Sequence, residues 1–164
     1  MKKIWLIIIS IISFIGCSIA NTPTSKVEEY LGKYQKLDSG INISYYNLSL
    51  EQNLKDDQKK LYQKLIEKQY KNLSYEIKEE IIDGENATVN TQIKVYDYKE
   101  IIDKYNKEDY DNISQYHDIL LKALDKQKDK ITYTIDFKLS KNNKDEWNLT
   151  NLSERDKQKL LGIN

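Results

Sequence analysis

Residues 72–96 read NLSYEIKEEIIDGENATVNTQIKVY, and this stretch decides the fold. Apolar residues recur at every second position on both sides of Asp83-Gly84, which is a hairpin turn signal. Those before the turn are Leu73, Tyr75, Ile77 and Ile81, and those after it are Ala87, Val89, Ile93 and Val95. The period of two predicts two antiparallel strands whose odd-numbered side chains share a buried face.

A second alternating pair occurs towards the C-terminus. Ile131, Tyr133, Ile135, Phe137 and Leu139 predict a third strand, and Trp147 and Leu149 a fourth, after a turn at residues 141–144. We therefore expect an antiparallel sheet of about four strands.

Helical periodicity fills the remaining sequence. A first helix is predicted to begin near Ser25, where Ser25 and Glu28 have the spacing of a capping box, and a second to run from Ser49 to about Tyr70. Residues 99–128 predict two helices that meet near residues 106–112, and Ser153 and Gly162 bound a short final helix. Together these elements predict one α+β domain at residues 25–164, with helices packed on one face of the sheet.

The N-terminus has the layout of an export signal. Lys2 and Lys3 precede the apolar run 4–15, and Gly16-Cys17 follows it. This segment resembles a bacterial lipoprotein signal, in which a small residue precedes a lipidated cysteine, although Phe14 stands where leucine is usual. The resemblance implies a cleaved signal peptide at residues 1–16 and a lipidated Cys17, carrying a diacylglyceryl group and palmitate, with a polar tether to residue 24.

Two other interpretations of this segment stay open: an ordinary cleaved signal in which Cys17 has no role, and an uncleaved membrane anchor. A spanning helix needs about 20 apolar residues, which is longer than this run. The expected location is the cell membrane, on its extracytoplasmic side, because the lysines stay inside.

Charge and cysteine content limit the functional classes. The chain has 26 basic and 26 acidic residues, so nothing indicates nucleic-acid binding. Its single cysteine and single histidine leave no disulfide framework and no zinc-ligand spacing. We expect no metal and no cofactor.

The predicted element order resembles the cystatin-like cone of the NTF2-like (nuclear-transport-factor-2-like) superfamily. Stretches 27–34, 70–77, 84–89, 95–98 and 147–152 also resemble small clostridial-type lipoproteins of unassigned function. The resemblance implies a curved sheet forming a cone. It implies no activity, because this fold carries enzymes and non-catalytic modules alike.

Enzymes of that superfamily use acids or histidines inside the cone. Glu79 and Asp97 are at odd-numbered positions, which are predicted to face inward, whereas Asp136 is at an even-numbered position and is expected to face solvent. His117 could act as a general base, since its pKa lies near neutrality. The alternatives are that both carboxylates lie in water at strand ends, and that His117 lies on an exposed or half-buried helix face.

Tyrosine is the most abundant aromatic residue, with 13 copies. Tyr30, Tyr34, Tyr75 and Tyr133 fall on predicted core faces, where they could line a ligand pocket or simply fill the core.

These observations favour a lipid-anchored, non-catalytic extracytoplasmic module that binds a small ligand or a protein partner. One alternative is an NTF2-like enzyme that uses a buried carboxylate for proton transfer on a small apolar substrate. The other is a structural surface protein that forms a homodimer through its sheet.

Overall fold

A computed structural model describes residues 21–38 and 55–164. The predicted signal peptide, Cys17 and the predicted helix start at Ser49 lie outside these ranges. Within them the protein is α+β, with five α-helices and one four-stranded antiparallel sheet.

The elements follow the predicted order. The helices are α1 (Pro23–Lys36), α2 (Asp56–Lys71), α3 (Tyr98–Lys104), α4 (Ile113–Lys126) and α5 (Glu154–Leu161). The strands are β1 (Ser74–Asp83), β2 (Asn86–Tyr96), β3 (Lys130–Lys141) and β4 (Trp147–Leu149), and a 3-10 turn at Lys107–Asp109 separates α3 from α4. The strands neighbour one another in the order β1-β2-β3-β4.

Helix α1 begins before the predicted position. Its N-cap is Thr22, whose side chain accepts a hydrogen bond from the Ser25 backbone N–H, while the Ser25 hydroxyl receives one from the Thr22 backbone. Pro23 takes the first helical position, where its missing N–H has no consequence. The capping box at Ser25 and Glu28 was therefore wrong, because Ser25 closes a box that opens at Thr22.

A β-bulge in β1 changes the face that its second half presents. Ile77 lies opposite Thr91, but Glu79 lies opposite Asn90, so Lys78 is an extra residue. One extra residue turns every later side chain to the other face. Glu80 and Ile82 consequently pair with the inward Val89 and Ala87, whereas Glu79 and Ile81 point outward.

The core has two neighbouring parts. The sheet face, α1 and Leu160 of α5 enclose the first, which includes Val89, Ile93, Ile135 and Phe137. Helices α2, α3 and α4 enclose the second together with Leu161 of α5. Odd-numbered residues of β2 are buried while their even-numbered neighbours are not, so the helices cover one face, as predicted.

Gln69 connects α2 to the end of β2 and to α5. Its amide nitrogen donates to the carbonyl oxygens of Tyr96 (2.9 Å) and Leu161 (2.7 Å), and its amide oxygen accepts from the Tyr96 N–H (2.8 Å). Gly162 ends α5 with φ +72° beside this amide. A side chain at position 162 would collide with the Tyr96 carbonyl, so glycine is required there for packing as well as for conformation.

Candidate functional site

The two carboxylates singled out from the sequence do not meet in the fold. Glu79 was expected on the inward face, and that expectation was wrong because of the β-bulge: its side chain is exposed on the outer face. Its cross-strand neighbour Asn90 lies seven residues from Asp97 along the chain, about 23 Å at the usual rise per strand residue. The pair therefore cannot act on one small substrate.

Asp97 caps a helix. It follows β2 directly, is half-buried, and its carboxylate accepts a hydrogen bond from the Glu100 backbone N–H at 3.1 Å. Its own N–H donates to the Asp129 carbonyl at 2.9 Å. These bonds give Asp97 a structural role at the start of α3.

Asp97 also affects the pKa of Tyr133, another predicted candidate. Burial, and then the charge of Asp97, raise the pKa of the Tyr133 phenol. The Tyr133 hydroxyl donates to the Asn164 carbonyl oxygen at 3.0 Å. Tyr133 therefore stays neutral and attaches the C-terminal residue to the sheet.

His117 is buried, with 6% of its surface exposed, so the expectation of an exposed or half-buried position was wrong. It lies on α4 with its ring centroid 5.6 Å from that of Tyr116. A general base must come within hydrogen-bond reach of its substrate, and burial in the helical part of the core does not support that role.

The candidate tyrosines are half-buried against the core. On α1 the hydroxyls of Tyr30 and Tyr34 lie 2.9 Å apart, and the Tyr34 ring meets that of Tyr70 edge-on at 4.8 Å. Burial raises the pKa of the Tyr30 phenol far above its usual value, and the electrostatic effect of Tyr34 adds to this shift. Tyr75 and Tyr133 instead flank Ile93 across the sheet. The four side chains therefore lie in two groups and do not surround one pocket, although Tyr30 and Tyr75 each line a separate surface depression.

One surface depression contains the predicted candidate Tyr30 beside charged groups. We call it the α1–β4 groove: it measures about 200 Å³ and is lined by Lys26, Glu29, Tyr30, Lys33, Trp147, Asn148 and Leu149. The Lys33 ammonium lies 2.8 Å from the Glu29 carboxylate, and this hydrogen bond holds the pKa of Glu29 below its usual value. The groove thus offers two ammonium groups, one carboxylate and two aromatic side chains.

A second depression, of about 250 Å³, lies along β1 and β2 and reaches Thr132 of β3. It is lined by the predicted candidate Tyr75, by Ile93, and by the even-numbered polar residues Ser74, Glu76, Gln92, Lys94 and Thr132, which belong to the outer face of the sheet. Asp136, predicted to face solvent, is exposed on the same face and accepts a hydrogen bond from Asn90 at 2.6 Å. The outer face is therefore polar there, unlike the apolar face that dimerisation through the sheet would use.

The role of Glu80 was not predicted from the sequence. Its carboxylate accepts hydrogen bonds from the Thr24 N–H (2.9 Å) and hydroxyl (2.6 Å), so it attaches the first turn of α1 to β1. A signal for the bulge was present, because Lys78-Glu79-Glu80 followed by Ile81-Ile82 interrupts the alternation.

In residues 21–38 and 55–164 no three His, Cys, Asp or Glu side chains converge as metal ligands would. Across those same ranges no helix has the length and apolar character needed to span a bilayer. No protein-family model, curated protein or solved structure matches the chain.

Proposed function

We propose that the protein is a lipid-anchored, non-catalytic module of NTF2-like fold on the extracytoplasmic side of the cell membrane, and that it binds a protein partner there. The anchor rests on the apolar run that ends in Gly16-Cys17. Diacylglyceryl attachment supplies two acyl chains, which is enough for stable association with a bilayer, whereas one chain is not.

The observation that carries the non-catalytic role is the position of the three acid–base candidates. Glu79 is exposed on the outer face, Asp97 caps α3, and His117 is buried in the helical part of the core. Proton transfer needs a group that is aimed at a bound substrate. These positions favour binding over catalysis.

The α1–β4 groove favours a protein partner over a small ligand. Its volume of about 200 Å³ is below the roughly 300–1,000 Å³ of typical small-molecule pockets. Tyrosine and tryptophan are frequent anchors of protein interfaces. Lys26 and Lys33 outnumber Glu29, so an acidic segment is the chemistry that fits.

Native mass spectrometry of the protein purified from its own membrane tests the proposal. We expect a diacylglyceryl mass increment on the peptide that begins at Cys17, and a Cys17→Ala chain that remains an unprocessed precursor. Equal fatty-acid labelling of the wild type and Cys17→Ala would reject the anchor.

Charge reversal tests the groove separately. Lys33→Glu should weaken recovery of the co-purified partner, because it replaces an ammonium group that lines the groove. Lys36→Glu is the matched control, since Lys36 is an exposed lysine of the same helix outside that lining. Equal recovery with both variants would reject the groove as the binding surface.

A further inference from the structure

The tip of the β1–β2 hairpin is apolar and exposed. Among the described residues the large hydrophobic side chains with the greatest exposure are Ile81 (54%), Ile82 (53%) and Ile113 (38%). Ile81 and Ile82 are adjacent at the end of β1, and the bulge sends Ile81 to the outer face and Ile82 to the inner face. The tip therefore presents apolar surface on both sides of the ribbon.

The start of the described chain lies at the same end of the sheet. The Asn21 amide donates to the Asp145 carbonyl at 2.9 Å, and its oxygen accepts from the Trp147 N–H at 3.1 Å. The Lys141 N–H, opposite Trp147 in the ladder, donates to the Glu85 carbonyl in the hairpin turn at 2.8 Å. Thr24 meets Glu80 of β1. Asn21 and the hairpin tip thus belong to one end of the domain.

Cys17 is four residues from Asn21, which allows at most about 14 Å of extended chain. A lipid on Cys17 would therefore hold this end of the domain close to the bilayer. This step rests on the proposed lipid anchor.

We propose that the hairpin tip is a second membrane contact, at which Ile81 and Ile82 enter the interfacial region of the bilayer and fix the orientation of the domain. This end of the domain has four carboxylates, on Asp83, Glu85, Asp145 and Glu146, and two ammonium groups, on Lys141 and Lys144, of which Lys141 pairs with Asp145 at 2.6 Å. The contact is therefore apolar rather than electrostatic, and anionic lipid weakens it.

An environment-sensitive label tests this contact in the lipidated protein. Cys17 is the only cysteine and its thiol carries the lipid, so Ile81→Cys introduces one free thiol for nitrobenzoxadiazole. Ile113→Cys is the matched control, because it replaces an exposed isoleucine on α4, which packs against α2 and α3. Both proteins are bound to phosphatidylcholine vesicles, with and without phosphatidylglycerol, and co-sedimentation is measured on the same samples.

We expect a blue-shifted emission and quenching by spin-labelled lipid at position 81 but not at 113, with a smaller shift when phosphatidylglycerol is present. Co-sedimentation with identical emission at both positions would overturn the tip contact and leave the anchor intact. Failure to co-sediment would overturn the anchor and the tip contact together. A shift that persists in detergent and rises with protein concentration would assign the tip to a second copy of the chain and also overturn the proposal.

Discussion

Gln69→Leu provides the sharpest test of how α2 is held to the sheet and to α5. The change keeps the approximate size of a fully buried side chain but removes three hydrogen bonds to backbone groups of Tyr96 and Leu161. At about 1 kcal/mol for each bond, we expect a loss of about 3 kcal/mol from the free energy of unfolding. That is a large fraction of the stability of an ordinary domain.

Chemical unfolding followed by far-UV circular dichroism measures this loss. The wild type should unfold in one transition, because Gln69 joins α2 to β2 and α5. The variant should show a lower midpoint, with an unchanged dependence of the free energy of unfolding on denaturant concentration. Gln63→Leu is the control: it makes the same substitution at an exposed position of the same helix and should change stability by no more than about 0.5 kcal/mol. A loss below about 1 kcal/mol for Gln69→Leu, or equal losses for both variants, would refute the reasoning.

Three further predictions concern single side chains. Trp147→Ala should cost about 3–5 kcal/mol in the same unfolding experiment, because the indole is 5% exposed, and a loss typical of a surface site would contradict its packing. Asp97→Ala should cost about 1 kcal/mol as a lost helix cap while Asp97→Asn restores most of it; equal losses would disprove the capping role. Burial raises the pKa of the Tyr70 phenol, and the electrostatic effect of the neighbouring Tyr34 raises it further, so folding favours the neutral phenol. This stabilisation is complete below the ordinary tyrosine pKa of about 10 and is lost at higher pH. Tyr70→Phe should therefore lose less stability than the wild type between neutral and alkaline pH, and parallel pH profiles would argue against this cause.

Much of the secondary structure could be predicted because it depends on neighbouring residues. The alternation on both sides of Asp83-Gly84 gave β1 and β2, and Ser153 with Gly162 bounded α5 as predicted. The 3-10 turn at Lys107–Asp109 falls where the two predicted helices were expected to meet. Each signal acts within a few residues, through capping bonds or turn conformation.

The candidate site could be predicted only in part, because parity along a strand assumes a regular ladder. The extra residue at Lys78 turned Glu79 outward and gave the inward position to Glu80. In β3, which has no register shift against β2, the odd-numbered side chains face inward as predicted, and Asp136 faces solvent.

The sequence by itself determined the α+β class, the one-sided sheet and the tyrosines that face the core, because these depend on local periodicity and on the hydrophobic effect. Only the tertiary structure decided which polar groups meet. Gln69 lies 27 residues from Tyr96 and 92 from Leu161, and Asn21 lies 126 from Trp147. No short pattern records such pairs, because each forms only after packing has brought two distant backbone segments within the reach of one amide.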